Sequence, residues 1–298
     1  MQVTYYDQNR YTGAYYNKDI QDHAILQRQG DIAYFVFPAL SRISGIRHAF
    51  STRLGGVSAG YCSSMNLADN CGDTKENLRE NYRRMAALLG IRLEDIVLSD
   101  QVHGKELMVV SREHTMGEEL EKKIQGIDGI MTDVKGIALS TAYADCVPLL
   151  FADRKKKVIA AVHAGWRGTV AEIAIETVTK LKKQYGCQER DLQVVIGPSI
   201  CQNCYEVSEE VAVQFSKLLD KHDFSGYIES VVRKNPDKEE KYQLDLWMAN
   251  RLLLEAAGIP VKNITTACVC TCCNKDLLHS HRASGGKRGG LRAFIMAE

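Results

Sequence analysis

Residues 141–169 read TAYADCVPLLFADRKKKVIAAVHAGWRGT, and this stretch predicts a β-hairpin. The candidate strands are two short apolar runs, residues 147–152 and 158–162, which are of strand length and partly β-branched. The charged segment between them, residues 153–157, has a suitable length for the turn, although it lacks the Asn-Gly pair typical of tight hairpins. The rest of the chain can be placed relative to this hairpin.

A cysteine and a histidine stand at the matching ends of the two strands. With an even number of residues in the loop, Cys146 and His163 lie on the same face, and a two-residue turn at 154–155 places them directly opposite each other. Their Cβ atoms would then be about 4.5–5.5 Å apart. That distance suits two ligands of one metal ion and equally a thiolate–imidazolium pair. The pattern therefore supports both a metal site and a cysteine nucleophile.

The segment after the hairpin predicts a helix over residues 170–185. Thr169 and Glu172 have the spacing of a capping box at its start. The inner face of the helix follows from the apolar periodicity and comprises Val170, Ile173, Ala174, Thr177, Val178 and Leu181. The N-terminus of this helix, with Arg167 beside it, would favour an anion such as phosphate near the Cys/His pair. The alternative is that Arg167 is only a solvated surface charge.

The composition indicates a globular protein with ample material for a core. The chain has 298 residues, of which 45% are hydrophobic, and this suggests one or two domains. A formal net charge of +1 gives no basic face for nucleic acid. The polar, tyrosine-rich start has no apolar signal region, and no stretch approaches the roughly 20 apolar residues of a membrane span. We therefore expect a cytoplasmic monomer or small homo-oligomer that binds neither nucleic acid nor membranes.

Ten cysteines in such a chain are more typical of thiols or metal ligands than of disulfides. Cys201 and Cys204 have the C-x-x-C spacing of a redox motif or of half a zinc site, but the sequence shows neither a thioredoxin-like context nor a clear second pair. Further along the chain come Cys268, Cys270, Cys272 and Cys273, then His279 and His281. Alternating and adjacent cysteines on a strand point to opposite faces, so those four thiols form an awkward tetrahedral cage.

Two more candidate ligand-binding residues occur near the ends of predicted strands. Arg53 precedes a Gly-Gly pair at residues 55–56, where the backbone can approach a ligand closely, although a tight turn with a surface arginine explains the pattern as well. His103 follows a predicted strand at residues 96–101 and precedes Gly104, so its side chain can project into a cleft. A lone histidine at such a position is more often structural or exposed.

Seven motifs spread over most of the chain can be compared with known families. They are FSTRLGGVS with MNL (residues 50–58 and 65–67), QVHG (101–104), DGIMT (128–132), ADCVPLL (144–150), HAGWRGT (163–169), GPSI with CYEV (197–200 and 204–207) and SHR (280–282). Together they resemble the YfiH-like laccase-domain family, known as polyphenol oxidase, purine nucleoside phosphorylase and peptidoglycan editing factor. The resemblance implies an α/β (α+β) fold, YfiH/CNF1-like, with mixed β-sheets flanked by helices. We expect residues 1–30 to be an N-terminal extension and residues 31–298 to be a single catalytic domain.

The resemblance also implies a metal site. The family's ligands are the histidine of QVHG, the cysteine of ADC and the histidine of HAGWRG, which here are His103, Cys146 and His163. The implied ion is zinc, with copper as the alternative, and the implied reaction is phosphorolysis of adenosine, inosine and methylthioadenosine with some deamination of adenosine. Three protein ligands leave one position of zinc open, as in catalytic sites. Water bound there has a pKa of about 7, which suits attack on adenosine.

Phosphorolysis further requires a phosphate held beneath the ribose. The candidate phosphate and substrate contacts are Arg53, Arg167 and Arg282, because a guanidinium group matches phosphate oxygens. Asp145 is the candidate catalytic residue, either as a proton acceptor or as a group that orients a ligand. Near the C-terminus the chain has Gly290-Leu291 where the family has a Gly-Arg pair, so the role of that arginine could fall to Arg288 or Arg292.

Four other functions fit the same residues. A His₂Cys set also occurs in blue-copper sites, but a multicopper oxidase needs more clustered imidazoles than the eight scattered histidines provide. Cys146 and His163 could form a metal-free cysteine hydrolase. A fourth ligand from the C-terminal cysteines or His281 would make the zinc structural and the protein a non-catalytic scaffold. The family resemblance also allows a hydrolase of peptidoglycan-precursor amides.

Overall fold

The computed structural model describes residues 3–5, 23–117 and 120–298. Within these ranges the chain forms the mixed α/β fold that the sequence predicts. The strands are β1 (Ile25–Gln29), β2 (Ile32–Val36), β3 (Ile46–Ser51), β4 (Ile96–Asp100), β5 (Leu107–Val109), β6 (Ile124–Gln125), β7 (Gly129–Thr132), β8 (Ala138–Tyr143), β9 (Val147–Asp153), β10 (Ile159–Ala164), β11 (Leu192–Ile196), β12 (Glu206–Ser208), β13 (Val232–Lys234), β14 (Lys241–Leu244), β15 (Ile264–Thr266) and β16 (Leu291–Ala297).

Eight helices accompany these strands within the described residues. They are α1 (Pro38–Ser41), α2 (Lys75–Leu89), α3 (Trp166–Val170), α4 (Ile173–Tyr185), α5 (Glu209–Lys221), α6 (Ile228–Val231), α7 (Leu246–Ala256) and α8 (His281–Ser284). In the part of the chain that the structure describes, no helix combines the length and the apolar character that crossing a membrane requires.

Two large sheets pack face to face. One has the order β1-β2-β3-β16-β8-β4-β6 and the other the order β15-β11-β9-β10-β7-β5. Side chains alternate along β9: Leu150 and Ala152 join the apolar cluster between the sheets, whereas Leu149 and Phe151 join the cluster that packs against α4, α5 and α7. Because α2 packs on the outer face of the other sheet, the layers run helix, sheet, sheet, helix. β9 and β10 therefore lie in the middle of the molecule.

The first sheet begins within the segment that the sequence assigned to the N-terminal extension. Ile25–Gln29 forms β1 and pairs antiparallel with β2 along its whole length. Residues 6–22 of the same segment lie outside the described residues. The division into an extension at 1–30 and a catalytic domain at 31–298 stays a prediction, and the strand β1 belongs structurally with the second part.

The predicted hairpin is confirmed, with a different register. β9 and β10 pair antiparallel, and His163 lies opposite Pro148. Continued past the strand ends, this register sets Cys146 opposite Gly165, so Cys146 and His163 are diagonal neighbours on one face of the sheet. The shared face is as expected. The direct opposition that would follow from a two-residue turn at 154–155 is not formed, because the turn is longer.

The register differs because the side chain of Asp153 organises a longer turn. Its Oδ1 atom accepts hydrogen bonds from the backbone N–H groups of Lys155 and Lys156, each at 2.8 Å. Lys157 donates its own N–H to the Asp153 carbonyl at 3.1 Å and has a left-handed φ of 61°. A side-chain bond of this kind takes the place of an Asn-Gly turn.

The helix predicted over residues 170–185 is wrong at its start. A short helix, α3, begins at Trp166, and Glu172 interrupts the chain with a left-handed φ of 65° before α4. Thr169 and Glu172 form no capping box, because the Thr169 hydroxyl donates to the Gly165 carbonyl and Glu172 forms an ion pair with Lys221. Five of the six residues predicted for the inner face are buried in α4, namely Ile173, Ala174, Thr177, Val178 and Leu181. The sixth, Val170, is partly buried and belongs to α3.

We expect the substitution Asp153→Ala to lower the free energy of unfolding by about 1–3 kcal/mol, because two backbone N–H groups of the turn lose their acceptor. Asp153→Asn is the matched control, since its amide oxygen can still accept both bonds, and it should retain most of that stability. Urea unfolding followed by circular dichroism measures the difference. Equal losses in the two variants would show that the carboxylate charge, and not the turn geometry, stabilises the hairpin.

Candidate metal centre and its cavity

The structure brings together the three side chains predicted as metal ligands. They come from the β4–β5 loop, the β8–β9 connection and β10, and they are His103, Cys146 and His163. One ligand atom of each lies within 4.8 Å of the others. The two imidazole rings stand edge to face with their centroids 4.8 Å apart. Because His163 is buried and His103 exposed, the group opens to solvent on the His103 side.

A single buried carboxylate, that of Asp128, positions both histidines. It accepts backbone N–H bonds from Val102 at 3.2 Å, from His103 at 3.0 Å and from Gly104 at 2.8 Å. These bonds stabilise the left-handed backbone of His103, whose φ is 63°. Oδ1 of Asp128 also lies 2.9 Å from Nδ1 of His163. Since Nδ1 is engaged there, Nε2 is the His163 atom that can bind a metal.

Gln101 fixes the same loop to the strand beside the cysteine. Its side-chain amide donates to the Ala142 carbonyl at 2.9 Å and accepts the Ala142 N–H at 2.7 Å. Ala142 belongs to β8, shortly before Cys146. The QVHG motif therefore supplies the candidate ligand His103 and also Gln101, which hydrogen-bonds the loop to β8. These bonds explain how His103, from a distant loop, is held at the hairpin.

The electrostatics of the group favour a thiolate. Burial alone raises the pKa of Cys146, but the charge of His163 and the hydrogen bonds from both histidines outweigh it and bring the pKa down to about 6. Burial also lowers the pKa of His163, but the negative Cys146 and the bond to Asp128 raise it to about 9. Burial likewise raises the pKa of Asp128, yet the bond to His163 leads the interactions that hold it below its usual range. The cysteine is thus prepared to bind a cation.

Two glycines of the HAGWRG motif make room for the site. A Cβ atom on Gly165 would lie 3.1 Å from the His103 ring and 3.3 Å from the Cys146 sulfur. A Cβ atom on Gly168 would lie 2.8 Å from the carbonyl oxygen of Gly104, which is closer than van der Waals contact allows. The glycines therefore let the His103 loop, α3 and the hairpin meet closely.

The donor set fits a metal ion. Zinc binds cysteine sulfur at about 2.3 Å and histidine nitrogen at about 2.0–2.1 Å, which places the ligand atoms of one ion roughly 3.3–3.8 Å apart. Side chains already within 4.8 Å of one another need only small rotations to reach that spacing. Among the described residues no fourth His, Cys, Asp or Glu belongs to this group. Three ligands with one open position are typical of catalytic sites.

The three side chains line a cavity of about 130 Å³. A neighbouring cavity of about 370 Å³ shares Asn70 and Arg288 with it, so the two adjoin at these residues. Together they reach the size of small-molecule sites, about 300–1,000 Å³. A further cavity of about 480 Å³ shares Asp69 and Lys122 with the first, and these two side chains contact each other at 2.8 Å.

The arginines in the cavity wall are Arg288 and Arg292, the two residues that could replace the family's arginine. Arg292 is buried and its guanidinium donates to the carbonyls of Leu67 and Ser140 at 3.2 Å. Arg288 is half-buried and donates Nη1 to Gly289, while its buried Nε atom has no hydrogen-bond partner. Burial lowers the pKa of Arg288. A guanidinium charge in the wall of the cavity that holds the three candidate ligands is suited to an anion.

The three arginines predicted to contact phosphate do not line this cavity. The Arg53 guanidinium donates to the carbonyls of Ser63 and Lys275, each at 2.9 Å. Arg167 is exposed and stacks on the Trp166 ring at 4.3 Å. Arg282 donates to the carbonyls of Cys204 at 3.1 Å and Glu206 at 2.9 Å. Their contact with a substrate stays a prediction.

Asp145 lies beside the metal centre, but both of its carboxylate oxygens are engaged. Oδ1 accepts the Thr271 hydroxyl at 2.6 Å and Oδ2 accepts the Arg282 N–H at 2.7 Å. The residue is buried and has a left-handed φ of 90°. Asp145 thus links its own segment to those of Thr271 and Arg282 by hydrogen bonds. Its catalytic role stays a prediction.

Two residues of the site have a place that the sequence did not indicate. Asp128 stands in the quoted DGIMT motif, and the signal that could have identified it is an acidic residue followed by glycine at the start of a buried strand. Arg288 was named only as a substitute for a missing arginine, since nothing in the sequence shows that residues 288–292 form a wall of the cavity.

The fold and site together define a laccase-domain protein. The family model described as multi-copper polyphenol oxidoreductase laccase matches residues 47–298, and the chain belongs to this family. The chain is 33% identical over 262 residues to a purine nucleoside phosphorylase of Bacteroides thetaiotaomicron, covering 87% of this chain and 94% of that protein. It is 35% identical over 244 residues to an adenosine deaminase from an unknown prokaryotic organism, covering 81% and 90%.

A solved structure shows the same fold. The hypothetical protein YfiH of Bacillus licheniformis superposes with a TM-score of 0.84 at 28% identity, covering 92% of this chain and 99% of that one. The resemblance to the YfiH-like family and the single mixed α/β architecture are thereby confirmed. The expectation of an enzyme is confirmed as well, because the relatives that match most of the chain are named for enzymatic activities.

We expect Asp128→Asn to weaken metal binding about 10- to 100-fold, because an amide cannot accept both the His163 ring N–H and the three loop N–H bonds. Competition with a chromophoric chelator measures the change. Asp133→Asn, an exposed aspartate five residues further on, is the control and should leave the affinity unchanged. Unchanged affinity in Asp128→Asn would remove the positioning role assigned to this carboxylate.

We also expect Gly168→Ala to weaken metal binding, because its methyl group must displace the Gly104 carbonyl and with it the His103 loop. The same competition assay applies. Gly226→Ala, at a glycine with open space around it and an ordinary φ, serves as the control. An alanine variant with native affinity would show that the loop can move without carrying its histidine along.

Proposed function

We propose that this chain is a zinc-dependent purine nucleoside phosphorylase that acts on adenosine, inosine and methylthioadenosine and also deaminates adenosine. The observation that carries the proposal is the His103–Cys146–His163 group in a cavity that continues past Arg288 into a second one. The names of the relatives support the choice of reaction. The substrates are small molecules, a purine nucleoside and phosphate.

Zinc is the ion that the donor set supports best. One thiolate and two imidazoles with an open position are typical of catalytic zinc. A multicopper oxidase needs several histidine-rich sites, whereas all eight histidines lie within the described residues and only two of them belong to a possible metal group. The ligands of this chain therefore do not match a multicopper centre.

The reaction transfers the ribosyl group from the base to phosphate. A phosphate oxygen forms a bond to C1′ as the C1′–N9 bond breaks, and the departing purine takes up a proton. A zinc ion held by His103, Cys146 and His163 would supply a Lewis acid. Arg288 contributes a guanidinium in the wall that the two cavities share, where its positive charge can hold phosphate.

The protein groups around the ion keep this geometry fixed before substrate arrives. Asp128 and Gln101 hold the two histidines and their loop in place. Asp145 ties the cysteine segment to two other loops through Thr271 and Arg282. Preorganised groups of this kind reduce the cost of orienting the reactants.

Incubation of the purified protein with adenosine, with and without phosphate, tests the proposal. We expect adenine and ribose 1-phosphate only when phosphate is present, and a slower formation of inosine in both cases. His163→Ala, which removes a proposed ligand, should abolish all three products. Inosine without any adenine would leave deamination and contradict phosphorolysis, and native activity in His163→Ala would contradict a role for the metal.

Substitution of the arginines separates the phosphate contacts. We expect Arg288→Met to raise the KM for phosphate about tenfold or more, the cost of losing one charge-assisted hydrogen bond. Arg190→Met, at an exposed residue at the far end of β11, is the control and should leave the KM unchanged. The same measurement on Arg53→Met, Arg167→Met and Arg282→Met tests the contacts predicted from the sequence. An unchanged phosphate KM in any of the four variants removes that arginine from the phosphate site.

A further inference from the structure

A second group of metal-ligating side chains lies apart from the His₂Cys centre, at the ends of two neighbouring strands. β11 and β15 pair in parallel, and the chain leaves both strands in the same direction. Cys201 and Cys204 follow β11, whereas Cys270 and Cys273 follow β15. Each pair has the C-x-x-C spacing, and a bridge between Ser199 and Cys270 aligns the two segments. The fold thus supplies the second pair that the sequence alone does not reveal.

The four sulfur atoms have the spacing of ligands around one ion. All of them lie within 4.8 Å of one another. The sulfur of Cys273 is 4.0 Å from that of Cys201 and 3.5 Å from that of Cys204. A tetrahedral ion with Zn–S bonds of about 2.3 Å places its sulfur ligands about 3.8 Å apart, between these two values. All ten cysteines of the chain are free thiols, so no disulfide accounts for the group.

Backbone N–H groups and a nearby guanidinium favour the thiolate form of the four cysteines. The backbone N–H groups of Cys201 and Cys273 point at the sulfur of Cys270 at 3.3 and 3.4 Å. Such hydrogen bonds around a metal orient its ligands and compensate their charge. The Arg282 guanidinium adds a positive charge nearby through its bond to the Cys204 carbonyl at 3.1 Å. Cys201 and Cys270 are buried while Cys273 is exposed, so an ion can enter from solvent.

We propose that Cys201, Cys204, Cys270 and Cys273 bind a structural zinc ion, separate from the His₂Cys centre. Four protein ligands leave no open position, as in structural zinc sites, and two C-x-x-C pairs are typical of them. Sulfur tetrahedra also bind iron, but redox-inert zinc suits a site whose ligand Cys273 is open to solvent and oxygen.

This assignment divides the C-terminal cysteines in a way that the sequence did not anticipate. The four cysteines within residues 268–273 do not bind one ion among themselves. Their alternation along the chain already indicated this. Two of them join the pair from the β11 loop instead, and Cys268 and Cys272 remain outside the group. Cys272 stands between two proposed ligands and therefore provides a matched control.

The ion would stabilise one wall of the His₂Cys site. Thr271 lies between the ligands of the second pair and donates its hydroxyl to Asp145. Ile200 precedes the first pair and donates its N–H to the Asp145 carbonyl at 3.0 Å. Joining the two loops through zinc therefore fixes the segment that carries Cys146. The proposal itself does not depend on which reaction that site performs.

Metal analysis of the full-length protein, expressed with zinc and purified without chelators, tests the proposal. We expect about two zinc ions per chain in the native protein, one for each site, and about one in Cys204→Ser/Cys273→Ser. Cys272→Ser should keep both ions, and His103→Ala/His163→Ala should lose only the other one. The result that overturns the proposal is an unchanged zinc content in Cys204→Ser/Cys273→Ser, iron in place of zinc, or a disulfide among the four cysteines by mass spectrometry.

A second measurement does not require the cysteine variants to fold. His103→Ala/His163→Ala expressed in cobalt-containing medium should show the strong thiolate-to-cobalt charge-transfer absorption of four sulfur ligands. The native protein should show this absorption together with a weaker contribution from its single Cys146 thiolate. Absence of the four-thiolate spectrum from both proteins would contradict the site. Because neither measurement uses enzymatic activity, a failure of the proposed reaction would leave this result unaffected.

Discussion

The carboxylate of Asp128 is the interaction on which the His₂Cys centre depends. It accepts hydrogen bonds from three backbone N–H groups of the QVHG loop and from the ring of His163. One buried charge therefore positions His103 and His163, which belong to two separate elements. A buried carboxylate is costly unless it is hydrogen-bonded, and here four donors satisfy it. The same charge raises the pKa of His163 beside Cys146. The Asp128 carboxylate therefore determines both the position of the two histidines and the electrostatics of the site.

The two facing sheets explain why the centre is rigid although its ligands are far apart in the chain. β9 and β10 are buried on both faces, so the ends of the hairpin project from the buried interior of the molecule. The loop of His103 reaches this point through the clamp of Gln101 on β8 and through the space left by Gly165 and Gly168. A site built on central strands with small residues at its contacts has little freedom to deform.

The hairpin, the shared face of Cys146 and His163 and the inner face of α4 could be predicted from the sequence, because they follow from local periodicity. The register could not, since it depends on the side-chain bonds of Asp153 within the turn. The split between α3 and α4 was missed because Glu172 adopts a left-handed backbone that no propensity indicates. The pairing of Cys201 with Cys270 depends on the adjacency of β11 and β15, which only the fold reveals.

Asp145 has a consequence for how this protein can be altered. Its backbone carbonyl and both side-chain oxygens hold segments near residues 200, 271 and 282, and its own conformation is one that most residues avoid. A loop graft or an insertion in any one of these segments would displace the other two, because all three are hydrogen-bonded to this residue. Chimaeras among related enzymes should therefore exchange the three segments as one module, with the aspartate retained, whereas the exposed residues 236–240 can be varied on their own.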